Sequence, residues 1–157
     1  MHRGAARPLG GQRRAAASFQ RVPPPVRRHR RLRYTRPAER DFDGLSELLS
    51  EHITWHVPGH NPLADMHHGR PAVLRVLRQL VKLTGGTSTV STAALLSGAD
   101  RVAVVEHGSA RTATATIEIR NVSLFRVSKG RIQEMWFLPG DQYALDAFWA
   151  KVQETPL

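Results

Sequence analysis

The sequence predicts an α+β domain in which one curved, mainly antiparallel sheet wraps around helices to form a cone. Three observations carry this expectation. Residues 71–83 place apolar side chains at helical spacing, whereas almost everything from Thr87 to Pro139 is β-rich and cut by turn residues. The elements run helix, strand, helix, then four strands and a short helix. The turn Ser128-Lys129-Gly130 joins two long strands as a hairpin, which makes the later strands antiparallel neighbours.

Each element has a local cause. Asp43 can cap a first helix with Leu45, Leu48 and Leu49 on one face and Glu47 in its first turns, ending near Glu51. His52 to Val57 alternate as a strand does and stop at Pro58-Gly59. The stretch 58–69, PGHNPLADMHHG, reads as a loop. Pro71 suits a first helical position, and Val73, Leu74, Leu77, Leu80, Val81 and Leu83 form the apolar stripe of a second helix that Gly85-Gly86 ends. Strands are expected at Thr87–Ser97, Arg101–His107, Thr112–Val127 and Arg131–Leu138, with turns at Gly98-Ala99-Asp100 and Gly108-Ser109. Along Thr112–Val127 the apolar parity passes from Ala113, Ala115, Ile117 and Ile119 to Val122 and Leu124, which requires a bulge or twist near Asn121 and Ser123. Asp141 can cap a last helix anchored by Tyr143, Leu145, Phe148 and Trp149.

Charge divides the chain in two. The formal net charge is +10, but residues 1–40 hold twelve arginines and one acid, Glu39. The remaining residues hold eleven Lys/Arg and twelve Asp/Glu, so the folded part is nearly neutral. Residues 1–40 also contain Pro23-Pro24-Pro25 and few large apolar side chains. Such a segment buries too little surface to offset its ordering entropy, and it is expected to be a disordered tail. The expected organisation is a tail at 1–40, one domain at 41–152 and a short C-terminal tail at 153–157. Nucleic acid is expected as a partner only through the basic tail, because the arginine runs carry no interleaved aromatic platform.

Several chemistries are set aside by composition. The chain has no cysteine, so it has no disulfide framework, thiolate metal site or cysteine nucleophile. A cytoplasmic location fits that composition. No apolar run approaches the ~18 residues that a membrane span needs. His56, His60, His67, His68 and Asp65 cluster in sequence, but they match neither HExxH nor a two-His-one-carboxylate set, so no metal is expected. With no Gly-x-Ser-x-Gly elbow, phosphate loop or dinucleotide fingerprint, no organic cofactor is expected.

The runs TWHVPGHNPLADMHHGRPAVL and SLFRVSKGRIQEMWFLPGDQYALDAFW resemble the SnoaL-like branch of the nuclear transport factor 2-like superfamily, with the likeness spanning about Asp41 to Trp149. That superfamily includes ketosteroid isomerases, polyketide cyclases and limonene epoxide hydrolases. The resemblance implies a cystatin-like α+β cone with an apolar pocket for a small hydrophobic organic ligand. It also implies a homodimer formed across the outer sheet face, to which Thr112–Thr116 would contribute. Family members usually open with a long amphipathic helix that gives a tyrosine to the pocket. Here the Pro/Arg-rich stretch stands in that place, with Tyr34 as its one tyrosine.

The resemblance also frames the site. The position of the isomerase aspartate reads Trp55-His56-Val57, and the nearest matches to the second isomerase acid are Asn121 and Ser123. His56 is the expected base, because imidazole titrates near neutral pH. Asn121 and Ser123 are expected to polarise a substrate oxygen. Trp55, His60, Leu124, Trp136 and Tyr143 are the expected ligand contacts. Two functions stay open: an isomerase, cyclase or hydrolase that abstracts a proton from a polyketide-, steroid- or terpenoid-like substrate, or a non-catalytic ligand-binding or dimeric interaction module.

Overall fold

A computed structural model describes residues 42–154. The basic tail expected at 1–40 lies outside the described residues, as do residues 155–157. The elements are α1 (Phe42–Leu48), β1 (Leu49–Val57), β2 (Asp65–His68), α2 (Arg70–Leu83), β3 (Thr89–Ser97), β4 (Arg101–Arg111), β5 (Thr116–Ser128), β6 (Arg131–Pro139) and α3 (Gln142–Gln153). Local chemistry accounts for most of their ends. Pro71 sits in the first turn of α2, where its missing N–H costs nothing. At the other end Gly86 N–H reaches the Val81 carbonyl at 2.8 Å, with Gly85 at φ 57. The Asp141 carboxylate caps α3 by accepting from Ala144 N–H at 2.9 Å. Lys129 and Gly130 have φ of 50 and 71, the left-handed pair that a two-residue hairpin turn needs.

The six strands form one curved sheet in the order β2-β1-β6-β5-β4-β3. Every pairing is antiparallel except β1 with β6, which is parallel. Residues opposite one another in a ladder share a face, so the register sorts every side chain. Trp55 lies opposite Met135, Ser123 opposite Phe137, and Glu106 opposite Asn121. These residues share the concave face with Ile117 and Ile119. His56 lies opposite both Met66 and Trp136, and Leu124 lies opposite Trp136 and Ala103. Those residues belong to the convex face.

Helices cover the concave face. One cluster joins Val76 of α2 and Leu145, Phe148 and Trp149 of α3 to Leu63 and Ala110, with Ile117, Ile119 and Phe137 packed against it. A second joins Leu45, Leu49, Ile53, Val73 and Leu74. Trp55 packs against both, which makes it the joint between them. The loop after β1 is tied to α3 through Asp146. Its carboxylate accepts from His60 N–H at 3.0 Å, Asn61 Nδ2 at 3.2 Å and Gln142 Nε2 at 3.0 Å. Burial raises the pKa of this carboxyl, but the three hydrogen bonds together hold it below its ordinary value. Gly59 passes under this knot at φ 100, where a Cβ would strike Gln142 and Asp146.

Several boundaries differ from the sequence expectation. The first strand begins at Leu49, not His52, because Leu49 is buried against the parallel strand β6, opposite Ile132. The stretch expected to be one loop holds β2, which pairs Asp65–His68 with Val57–Thr54. DMHH has no apolar alternation, so only the exposed edge of β1 makes it a strand. Gly108-Ser109 does not turn, since β4 continues through it to Arg111. The turn lies at 112–115, where Thr112 N–H donates to the Ala115 carbonyl at 2.8 Å and its hydroxyl accepts from Ala115 N–H at 3.1 Å. Thr112–Ala115 therefore offers no strand surface to a partner. Nor does β5 break at Asn121: it pairs with β4 residue for residue from Thr116 to Arg126. The register shifts fall between Arg126 and Val127 against β6, and between Thr92 and Ala94 against β4. Val122 and Leu124 lie on the convex face, opposite Val105 and Leu138 and opposite Ala103 and Trp136.

Candidate functional site

Beyond the part covered by α3, the concave face carries a polar cluster. Glu106 of β4 faces Asn121 of β5, and Ser123 follows two residues further along the same face. The Ser123 hydroxyl donates to Glu106 Oε2 at 2.8 Å. Burial pushes the Glu106 carboxyl above its ordinary pKa, and the Ser123 hydrogen bond offsets part of that rise. Asn121 is 5% exposed, and no described residue donates to its Oδ1. A buried acceptor without a donor costs about 1–3 kcal/mol, so the fold carries this group at a loss. The cluster joins a carboxyl poised for proton transfer to an amide that can orient an oxygen.

A second cluster lies on the convex face. His56 Nε2 meets Glu134 Oε1 at 2.9 Å, and Arg126 Nε donates to Glu134 Oε2 at 3.2 Å. The hydrogen bond from His56, followed by Arg126, holds the Glu134 carboxyl below its ordinary pKa. The His56 ring stacks on Trp136 with centroids 5.2 Å apart, and the Arg101 guanidinium sits 5.4 Å from the centroid of that indole. A pocket of about 360 Å³ beside them is lined by His56, Pro58, Asp65, Met66, Trp136 and Leu138, among others.

The expected site residues thus fall on two faces. Asn121 and Ser123 come together on the concave face. Trp55 shares that face and touches the His67 ring with centroids 6.2 Å apart. His56, Trp136 and Leu124 lie on the opposite face, so the expectation that His56 and Asn121 line one pocket is corrected. The reason is strand parity: His56 follows the inward Trp55 by one residue, and one residue reverses the face. His60 projects fully into solvent on the loop, and Tyr143 is 91% exposed on α3. Neither reaches the concave or the convex cluster, and the His60 ring lies 3.9 Å from Asp146 Oδ2. His67 Nε2 meets the Leu63 carbonyl at 2.8 Å and His68 Nδ1 meets Thr54 Oγ1 at 3.2 Å. Among the described residues, no three metal-ligating side chains converge.

Sequence reasoning missed Glu106, the one carboxyl of the concave cluster. A signal was present. In the strand RVAVVEH, Glu106 has the parity of Val102 and Val104, which puts a carboxyl on a strand's apolar side. Glu134 and Arg126 were also missed, since their pairing depends on the β5–β6 register.

This architecture matches known proteins along most of its length. Uncharacterized protein Rv0034 of Mycobacterium tuberculosis is 29% identical over 114 residues, spanning 72% of this chain and 87% of that one. The structure of Bal32a, from a soil-derived mobile gene cassette, is 29% identical with a TM-score of 0.67, over 69% of this chain and 84% of that one. A cystatin-like-fold protein from Xanthomonas campestris is 28% identical with a TM-score of 0.66, over 69% and 85%. TerC, co-crystallized with polyporic acid, is 17% identical with a TM-score of 0.63 over 71% and 87%, a likeness of fold alone. Residues 26–135, more than half of the chain, match the SnoaL-like domain, and with the curved sheet and its helix-covered concave face this makes the chain a member of the SnoaL-like family.

Proposed function

We propose that the protein binds a small hydrophobic organic molecule against the concave face and acts on it by proton transfer, as an isomerase, cyclase or hydrolase. Glu106 is the acid–base group in this reading. Ser123 orients its carboxyl, and Asn121 holds a substrate oxygen. The observation that carries the reading is the partly buried Glu106 carboxyl, hydrogen-bonded to Ser123 beside a buried amide oxygen that receives no hydrogen from the described residues. A carboxyl with a raised pKa is a stronger base once ionised, and proton transfer from a positioned group contributes about 10²–10⁴-fold to rate. A polyketide-, steroid- or terpenoid-like substrate suits the apolar residues around it. No organic cofactor is needed for such a step.

The test is solvent deuterium exchange into an enolisable ketone, 2-tetralone, followed by NMR. The full chain should accelerate exchange, Glu106→Gln should remove about 10²-fold or more of that acceleration, and His56→Ala should leave it intact. Exchange that survives Glu106→Gln would refute the assignment. One observation favours a non-catalytic binder of the same fold: the position where related isomerases carry their aspartate reads Trp55-His56-Val57. Binding of 2-tetralone with no accelerated exchange would select that reading.

The partner in this proposal is a second copy of the chain, in a cytoplasmic setting. Exposed Met66, Leu96 and Leu138 share the convex face with Trp136, which supports a homodimer formed there. Among the described residues, no helix is long and apolar enough to cross a membrane.

A further inference from the structure

Asn121 poses a question that proton transfer by Glu106 does not answer. The residue is nearly fully buried, yet its Oδ1 receives no hydrogen from the described residues. Its surroundings explain why. Its cross-strand partners are Glu106 and Pro139. Pro139 has no donor. Ile119 on the same strand is apolar, and the single Ser123 hydroxyl hydrogen goes to Glu106 Oε2. An ionised Glu106 only accepts. None of these ladder neighbours supplies a hydrogen to Oδ1. Gly108 adds a second feature: a Cβ at that position would stand 3.0 Å from Asn121 Nδ2. Glycine there leaves the amide uncrowded on that side.

We infer that the ligand of the concave site carries a hydroxyl, phenolic or enolic, whose hydrogen goes to Asn121 Oδ1. This rests on the reading that the concave face binds a small organic ligand, and it narrows the class of that ligand. A hydroxyl supplies the missing hydrogen to the amide. A ketone or ether at the same place adds one more acceptor and leaves Oδ1 without a donor. Buried polar groups that require a partner are the strongest source of such discrimination. The enol of a hydroxy-ketone meets the same requirement, and its oxygen would lie between Asn121 and the Glu106 carboxyl. The amide then selects the tautomer that the carboxyl forms or consumes.

The probes are 2-naphthol and its methyl ether, 2-methoxynaphthalene, which share a ring system and differ in the hydroxyl hydrogen. Calorimetric titration of the full chain should show 2-naphthol binding about tenfold tighter or more. Asn121→Leu, similar in volume and without the acceptor, should bring the two affinities close to equal. Gly108→Ala, which crowds the amide from the other side, should lower the preference too, and it serves where Asn121→Leu folds poorly. Equal affinities in the unmodified chain would overturn the inference while leaving the concave-face reading intact. A naphthol preference that persists in Asn121→Leu would overturn it as well. Failure of both probes to bind would overturn the inference together with the reading beneath it.

Discussion

Glu106 and Glu134 sit on opposite faces of one sheet, and their carboxyls are shifted in opposite directions. Glu106 is partly buried on the concave face with one neutral partner, Ser123, and its pKa is raised. Glu134 stands on the half-open convex face between His56 and Arg126, and its pKa is lowered. Residue type does not separate the two. The surroundings do: loss of water disfavours the charged form, whereas a hydrogen-bonding ring and a guanidinium favour it. In the proposed reaction the concave carboxyl exchanges a proton with the ligand. The convex carboxyl is a fixed anion that positions an imidazole and a guanidinium.

The largest expected difference between the faces is in packing. Phe148 is 4% exposed beneath the concave face, so Phe148→Ala should cost about 3–5 kcal/mol in denaturant unfolding. Trp136→Ala on the convex face loses a stack and part of a surface, about 1 kcal/mol. Similar losses at both positions would mean that the convex face is also buried, as a homodimer would make it.

Titration separates the faces next. The folded state holds the Glu106 proton more tightly than the unfolded chain does. Its contribution to stability is whole below the unfolded-state pKa and is lost as pH rises through the raised folded value. Glu106→Gln escapes that loss, so it should melt higher than the unmodified chain at neutral pH and close to it in acid. The variant expected to lose exchange activity is thus expected to gain stability, which a merely structural glutamate would not show. A lower melting temperature at neutral pH would count against a burial-raised carboxyl.

Oligomeric state sharpens the comparison further. Leu138→Asp places a charge on the exposed apolar convex face. Sedimentation should then show a shift from dimer to monomer with the fold intact. An unmodified chain that sediments as a monomer would remove the homodimer from the proposal.

The smallest effect belongs to Glu134. Its folded pKa is lowered, so its contribution is present above the unfolded value and lost as pH falls through the folded one. Glu134→Gln should therefore cost stability at neutral pH and converge with the unmodified chain in acid. Because the group is partly exposed and screened, the loss should be about 0.2–1 kcal/mol. The two glutamine variants should bend the pH–stability curve in opposite senses.

Much of this was legible in the chain. The stripe from Val73 to Leu83, Pro71 and Gly85-Gly86 define α2 by themselves, because a helix is held by contacts three and four residues apart. Asp141 and the Lys129-Gly130 turn are equally local. Asn121 and Ser123 share one face because β5 runs through them without the bulge that the sequence predicts beside them. The pairing of β2 with β1, the parallel contact of β1 with β6 and the extension of β4 through Gly108 were decided only by the fold. These depend on strands far apart in sequence meeting in one register. His56 shows the cost of lacking that register: one step of parity places it on the face opposite Asn121 and Ser123. Glu106 has a raised pKa because burial disfavours its charged form, with the Ser123 hydrogen bond offsetting part of the rise, and burial, unlike periodicity, is a property of the assembled sheet and helices.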